Sequence, residues 1–214
     1  ADVEKLLNKD FASLNGIILK DPRISRLIPI WQQIIDQQNI NAKYVISIRH
    51  PNDVVSSLAN RNDMYDLTSV EQATLLWLIY NLDLEKQTRN SDRIFIFYED
   101  ILHDWQSVIR NINFIPHDVV NENNDAINKL IVPKINNHSQ DFLQSSIHPL
   151  IYDLVDNCYN LLVKLSDTKI SEDSISANSI YSQLDSLYDK TTDLGSYMSV
   201  DNDNISKYKK ANLV

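Results

Sequence analysis

An arginine and two serines stand where a short apolar run gives way to a helical pattern, in the stretch YVISIRHPNDVVSSL at residues 44–58. Pro51 suits the first position of a helix, so Arg49 precedes the helix N-terminus, and Ser56 or Ser57 falls within the first two turns. A guanidinium, a hydroxyl and backbone amides at the positive end of a helix dipole together suit a phosphate. The stretch therefore predicts a local anion site.

The same residues also permit a structural role, which is the more common one when geometry alone is considered. Arg49 could bond a backbone carbonyl or the carboxylate of Asp53, and the serines could be small packing residues. Both interpretations stay open at the level of these residues.

The net charge of the chain limits the kinds of anion that it can bind. The 214 residues include 20 Lys and Arg against 29 Asp and Glu, a net charge of −9. Such a field repels polyanions, so we expect no nucleic-acid partner and no attraction to anionic membranes. No apolar stretch approaches the roughly 20 residues of a membrane span. Any anion site must be a local pocket.

Three short apolar runs predict the strands that would position this site. Each has five or six residues rich in Ile, Val and aromatics without polar alternation, which is typical of strands covered on both faces. The runs are GIILK at 16–20, YVISI at 44–48 and RIFIFY at 93–98. In an open parallel sheet ligands bind beyond the carboxyl ends of the strands, where Arg49 stands.

Helical patterns separate these runs. A short helix over 28–38 is predicted to begin at Pro29, and a longer one over 69–87 opens with Ser69 and Gln72 in capping-box spacing. Strands that alternate with helices predict the α/β class, with a parallel sheet flanked by helices.

After Leu102 the patterns are all helical, with Pro149 placed for a first helical turn. Residues 166–214 are predicted to be a polar tail. It contains one possible short helix, through Ile180, Leu184, Leu187 and Tyr188.

The number and spacing of the cysteine and histidine residues do not indicate a metal site. The one cysteine, Cys158, lies in an apolar run and is predicted to be part of the core, and the five histidines lack metal-ligand spacing. A reducing, cytoplasmic setting is the simplest expectation.

Three motifs, in this order and spacing, resemble the sulfotransferase family that uses 3'-phosphoadenosine 5'-phosphosulfate as donor, closest to its bacterial carbohydrate-type group. They are LKDPR at 19–23, IRHPNDVVSSL at 48–58 and FYEDIL at 97–102. The resemblance covers residues 15–165 approximately. It implies a P-loop-NTPase-like parallel sheet over 1–165, transfer of a sulfuryl group to an acceptor hydroxyl, and a small-molecule or carbohydrate acceptor.

The resemblance also implies roles for individual residues. Arg49 and Ser57 match the pair that binds the 3'-phosphate of the donor, and Tyr98 matches the tyrosine that approaches the adenine. Lys20 matches the lysine that faces the transferring sulfuryl group. Where many relatives have a histidine base this chain has Pro22, so Asp21 is the nearest candidate base.

One family element has no counterpart in these residues. The family opens with a strand and a Gly/Ser loop that cradles the 5'-phosphosulfate, whereas the only glycines here are Gly16 and Gly195. We expect this loop to precede residue 1 and to come from an upstream segment or another chain, and an uncovered sheet edge to favour a homodimer.

Two alternatives to an active enzyme stay open. One is a catalytically inactive sulfotransferase-like remnant that binds a nucleotide or a partner. The other is a different α/β protein, such as a relative of nucleotide kinases, in which Arg49 and Ser57 coincide by chance.

Overall fold

The structure, a computed structural model, describes residues 16–21, 24–59, 69–131, 142–167 and 174–211. Most of them are helical. The helices are α1 (Ile24–Gln37), α2 (Pro51–Ala59), α3 (Val70–Thr88), α4 (Tyr98–Arg110), α5 (His117–Glu122), α6 (Asn124–Leu130), α7 (Phe142–Ser146), α8 (Pro149–Ser166) and α9 (Ser174–Ala211).

The sheet in the described part of the chain has two strands, β1 (Tyr44–Ile48) and β2 (Arg93–Phe97). They pair in parallel, with Tyr44 opposite Arg93 and Ile48 opposite Phe97. The predicted α/β fold, a three-stranded P-loop-like sheet flanked by helices, is therefore wrong: the fold is mostly helical around one pair of strands.

The missing strand is the one expected at 16–20. These residues have no regular structure, and Ile18 is 96% exposed. The run of Ile17, Ile18 and Leu19 has the composition of a buried strand, but a strand exists only where a neighbour accepts and donates its backbone hydrogen bonds. Composition carries no information about that neighbour.

The first strand also departs from the expectation of cover on both faces. Ile46 and Ile48 are buried, whereas Val45 and Ser47 on the opposite face are exposed. Successive side chains of a strand point to opposite faces, so the core lies on one side of β1.

Helix α3 is the centre of the core. Its capping box is present as predicted, because the Ser69 hydroxyl accepts from the Gln72 amide and the Gln72 side chain accepts from the Ser69 amide. Helices α1, α2, α8 and α9 all pack against it. Its buried residues lie on several sides, as expected of a helix surrounded by neighbours; they include Leu75, Trp77, Leu78 and Leu82.

Proline placement was predicted correctly for one helix and wrongly for another. Pro149 is in the first turn of α8, where the preceding His148 caps the helix by accepting from the Leu150 amide. Helix α1 begins at Ile24 instead of Pro29, which lies inside it. A proline inside a helix removes one backbone bond, and the other bonds and the burial of Ile28 and Ile34 maintain this helix.

The C-terminal helices complete the core. Cys158 on α8 is fully buried, as predicted. The short amphipathic helix predicted near 180–188 is part of α9, whose Ile180, Leu184 and Leu187 are buried in the same core.

A buried ionic network joins α3, β2 and α9. Glu85 is 1% exposed and accepts hydrogen bonds from the guanidinium groups of Arg89 and Arg93. Arg89 also donates to Asp185 on α9 and lies over the ring of Tyr181. Burial acts to lower the pKa of Arg89, and hydrogen bonds to Glu85 and Asp185 outweigh it, so the pKa lies above its ordinary value.

Candidate functional site

The candidate site lies at the edge where both parallel strands end. Because Ile48 is opposite Phe97, the next residues of the two strands, Arg49 and Tyr98, leave the sheet side by side. The Arg49 guanidinium carbon lies 4.9 Å from the centroid of the Tyr98 ring, a cation–π contact. The structure thus brings together two of the residues that the sequence singled out.

The remaining contacts of Arg49 leave its guanidinium weakly held. Its side chain is 30% exposed, and one terminal nitrogen lies 3.3 Å from the carboxylate of Asp53, one turn into α2. Charge-assisted bonds of this kind are ordinarily 2.7–2.9 Å long. The Arg49 Nε is buried and has no partner among the described residues. An anion with better geometry could replace Asp53 as the partner of this group.

The N-terminus of α2 is capped by His50, which the sequence analysis did not anticipate. The His50 carbonyl accepts from the amides of Asp53 and Val54, and its Nδ1 accepts from the amide of Asn52. Amides that are already bonded are not free to bind a ligand. The donors of the site are therefore side chains.

The two candidate serines have different surroundings. Ser56 is buried, whereas Ser57 is exposed. Ser57 follows Asp53 by one helical turn, so both lie on the same face of α2 as the Arg49 contact. Of the two hydroxyls, that of Ser57 is the one accessible to a ligand.

Glu99 connects the ends of the two strands. Its Oε1 accepts from the backbone amide of His50 at 3.0 Å, while its Oε2 is buried without a partner among the described residues. Glu99, in the first turn of α4, thus reaches across to the residue after Arg49.

Tyr159, from the middle of α8, forms the aromatic wall of the site. Its ring makes an edge-on contact with His50 at 4.7 Å and with Phe97 at 5.9 Å between ring centroids. Sequence analysis missed Tyr159, because one tyrosine in an apolar helix carries no signal that distinguishes a site from the core.

Among the described residues at the site, the charged side chains other than Arg49 are carboxylates. Burial, together with the nearby carboxylates of Glu99, Asp100 and Asp53, raises the pKa of Tyr159 to about 12. A bound anion would therefore depend on Arg49 for its favourable charge interaction, and removal of that one cation should have a large effect.

The two catalytic candidates lie in the irregular segment at 16–21. The side chain of Lys20 is exposed, and the Asp21 carbonyl accepts from the amide of Ile24 at the start of α1. Neither residue belongs to a helix or strand in the described part of the chain.

A cavity of about 300 Å³ lies at the opposite end of β2. Arg89 and Arg93 line it together with Tyr181, but Glu85 binds both arginines and Asp185 also binds Arg89. Their charges are therefore compensated within the protein, and the half-buried Arg49, whose pairing with Asp53 is longer, is the better anion ligand.

No group of three or more potential metal ligands occurs among the described residues, and no helix there is long and apolar enough to cross a membrane. No family model matches the chain, and no curated protein and no solved structure has significant similarity to it. A functional assignment therefore depends on the motifs and on the geometry of this site.

Proposed function

We propose that the protein is a sulfotransferase that binds 3'-phosphoadenosine 5'-phosphosulfate and transfers its sulfuryl group to an acceptor hydroxyl, with a carbohydrate as the acceptor class. The observation that carries the proposal is the contact of Arg49 with Tyr98 at the carboxyl edge of the parallel strands. The guanidinium and the ring lie side by side where the two strands end, and an arginine beside an aromatic ring suits a nucleotide phosphate and base.

In this proposal Arg49 and Ser57 hold the 3'-phosphate, and Tyr98 contacts the adenine. The phosphate takes the place of Asp53 beside Arg49, because a dianion forms stronger charge-assisted bonds than a carboxylate 3.3 Å away. The exposed hydroxyl of Ser57 on the same face of α2 supports this arrangement.

The reaction is an in-line displacement at sulfur. The acceptor oxygen forms a new bond to sulfur, the bond from sulfur to the 5'-phosphate oxygen breaks, and the bisphosphate nucleotide departs with the electron pair. Asp21 receives the proton of the acceptor, and Lys20 stabilises the negative charge on the transferring and leaving oxygens. Positioning and cations supply the catalysis, without an obligatory metal.

The first test is calorimetric titration with 3'-phosphoadenosine 5'-phosphate, compared with adenosine 5'-phosphate, which lacks the 3'-phosphate. Arg49→Ala should weaken binding of the bisphosphate by about 10- to 100-fold, the loss expected for charged hydrogen bonds. Arg110→Ala, which removes an exposed arginine at the end of α4, is the matched control and should bind normally.

A second variant tests the competition at Arg49. Asp53→Asn removes the carboxylate that pairs with the guanidinium, so bisphosphate binding should become tighter by severalfold. Equal affinity for the two nucleotides in the unmodified protein would overturn the proposal. Bisphosphate binding without transfer to any sugar hydroxyl would favour the inactive nucleotide-binding alternative.

A further inference from the structure

One peptide group at the edge of the sheet has both of its polar atoms bonded to side chains. The carbonyl of Arg49 accepts from the indole Nε1 of Trp77 at 3.2 Å, and the amide of His50 donates to Glu99 Oε1 at 3.0 Å. These two atoms belong to the same planar peptide unit.

The location of this peptide explains why side chains must bond it. Strand pairing ends at Ile48, and helix α2 begins at Pro51, so neither ladder nor helix supplies partners for the Arg49 carbonyl and the His50 amide. Backbone groups away from water need partners, and here α3 contributes Trp77 while α4 contributes Glu99.

Two bonds on one peptide plane fix its orientation. The orientation of the plane sets ψ of Arg49 and φ of His50, and with them the direction in which the Arg49 side chain leaves the backbone. We propose that Glu99 is a positioning residue, which directs Arg49 toward the 3'-phosphate by holding the His50 amide; this inference rests on the proposed function.

Replacements of Glu99 can separate the effect of its hydrogen bond from the effect of its charge. The role needs one acceptor oxygen, which Gln would supply as well as Glu, whereas Ala would supply none. The second oxygen, Oε2, has no partner among the described residues, so loss of the negative charge breaks no further bond there.

The test measures how strongly the protein prefers 3'-phosphoadenosine 5'-phosphate to adenosine 5'-phosphate. Glu99→Ala should reduce this preference about tenfold while affinity for adenosine 5'-phosphate is retained, the size expected when one hydrogen bond that orients a charged group is lost. Glu99→Gln should restore the preference. Glu122→Ala, on the exposed surface of α5, is the control and should leave it unchanged.

A double-mutant cycle separates positioning from an effect on folding. If Glu99 acts through Arg49, Glu99→Ala should cause no further loss in an Arg49→Ala background. Should Glu99→Ala fail to fold, Trp77→Phe removes the bond at the other end of the same peptide and should lower the preference in the same way.

The outcomes distinguish this inference from the function on which it rests. An unmodified protein with no preference for the bisphosphate overturns the proposed function and the inference with it. A preference that survives Glu99→Ala or Trp77→Phe, or losses from Glu99→Ala and Arg49→Ala that add in full, overturns the positioning role alone.

Discussion

The substitution Glu85→Gln should lower the free energy of unfolding by about 3 kcal/mol. Glu85 is 1% exposed, and Arg93, one of its two partners, has a side chain that is only 8% exposed. Breaking a buried ion pair by removal of one partner typically costs about 3–5 kcal/mol, because the other charge is left buried and uncompensated. We expect the lower end of this range, since Arg89 keeps Asp185 as a partner.

The measurement is urea denaturation followed by circular dichroism and tryptophan fluorescence. With a denaturant slope of about 2 kcal/mol/M, a loss of about 3 kcal/mol moves the midpoint down by about 1.5 M. Glu122→Gln is the matched control, because Glu122 is exposed on α5 and its replacement should change the midpoint little. Equal midpoints for the two variants would refute the argument that the buried network stabilises the fold.

Two further predictions concern groups with shifted pKa values. The hydrogen bond from Arg89 lowers the pKa of Asp185 below its ordinary 3.8, so the carboxylate contributes stability that is present above that pH and is lost as pH falls through the folded value. Asp185→Asn should therefore flatten the fall in melting temperature as the pH drops below about 4; a melting temperature that falls as steeply with acid in the variant would contradict this. Burial raises the pKa of the Cys158 thiol, so a disulfide reagent at pH 8 should label it only after urea unfolds the chain, and rapid labelling of the native protein would contradict its buried position.

The parts of the fold that the sequence predicted correctly are those fixed by local chemistry. The capping box of Ser69 and Gln72 and the first-turn position of Pro149 depend on residues a few positions apart. The strand expected at 16–20 was wrong because strand formation depends on a neighbour elsewhere in the chain, and the pattern of apolar residues does not identify one.

The residues of the site fall into the same two groups, those that local sequence places and those that depend on packing. Arg49 follows one predicted strand and Tyr98 is the last residue of the next, so parallel pairing in register was enough to place them together. Tyr159 and the cap provided by His50 depend on how α8 packs and how one imidazole turns, and neither is a local property of the sequence. Helix packing therefore supplied the part of the site that motifs could not.

The network between α3 and α9 also sets a time scale for the newly made chain. Arg89 and Asp185 are 96 residues apart in sequence. At a synthesis rate of about 5–20 residues per second, a ribosome needs on the order of 5–20 s after Arg89 to produce its partner. During that interval, the side of α3 that packs against α9 in the folded protein has no partner to cover it. Translation speed thus sets how long Arg89 waits for Asp185 and how long the side of α3 that packs on α9 stays uncovered.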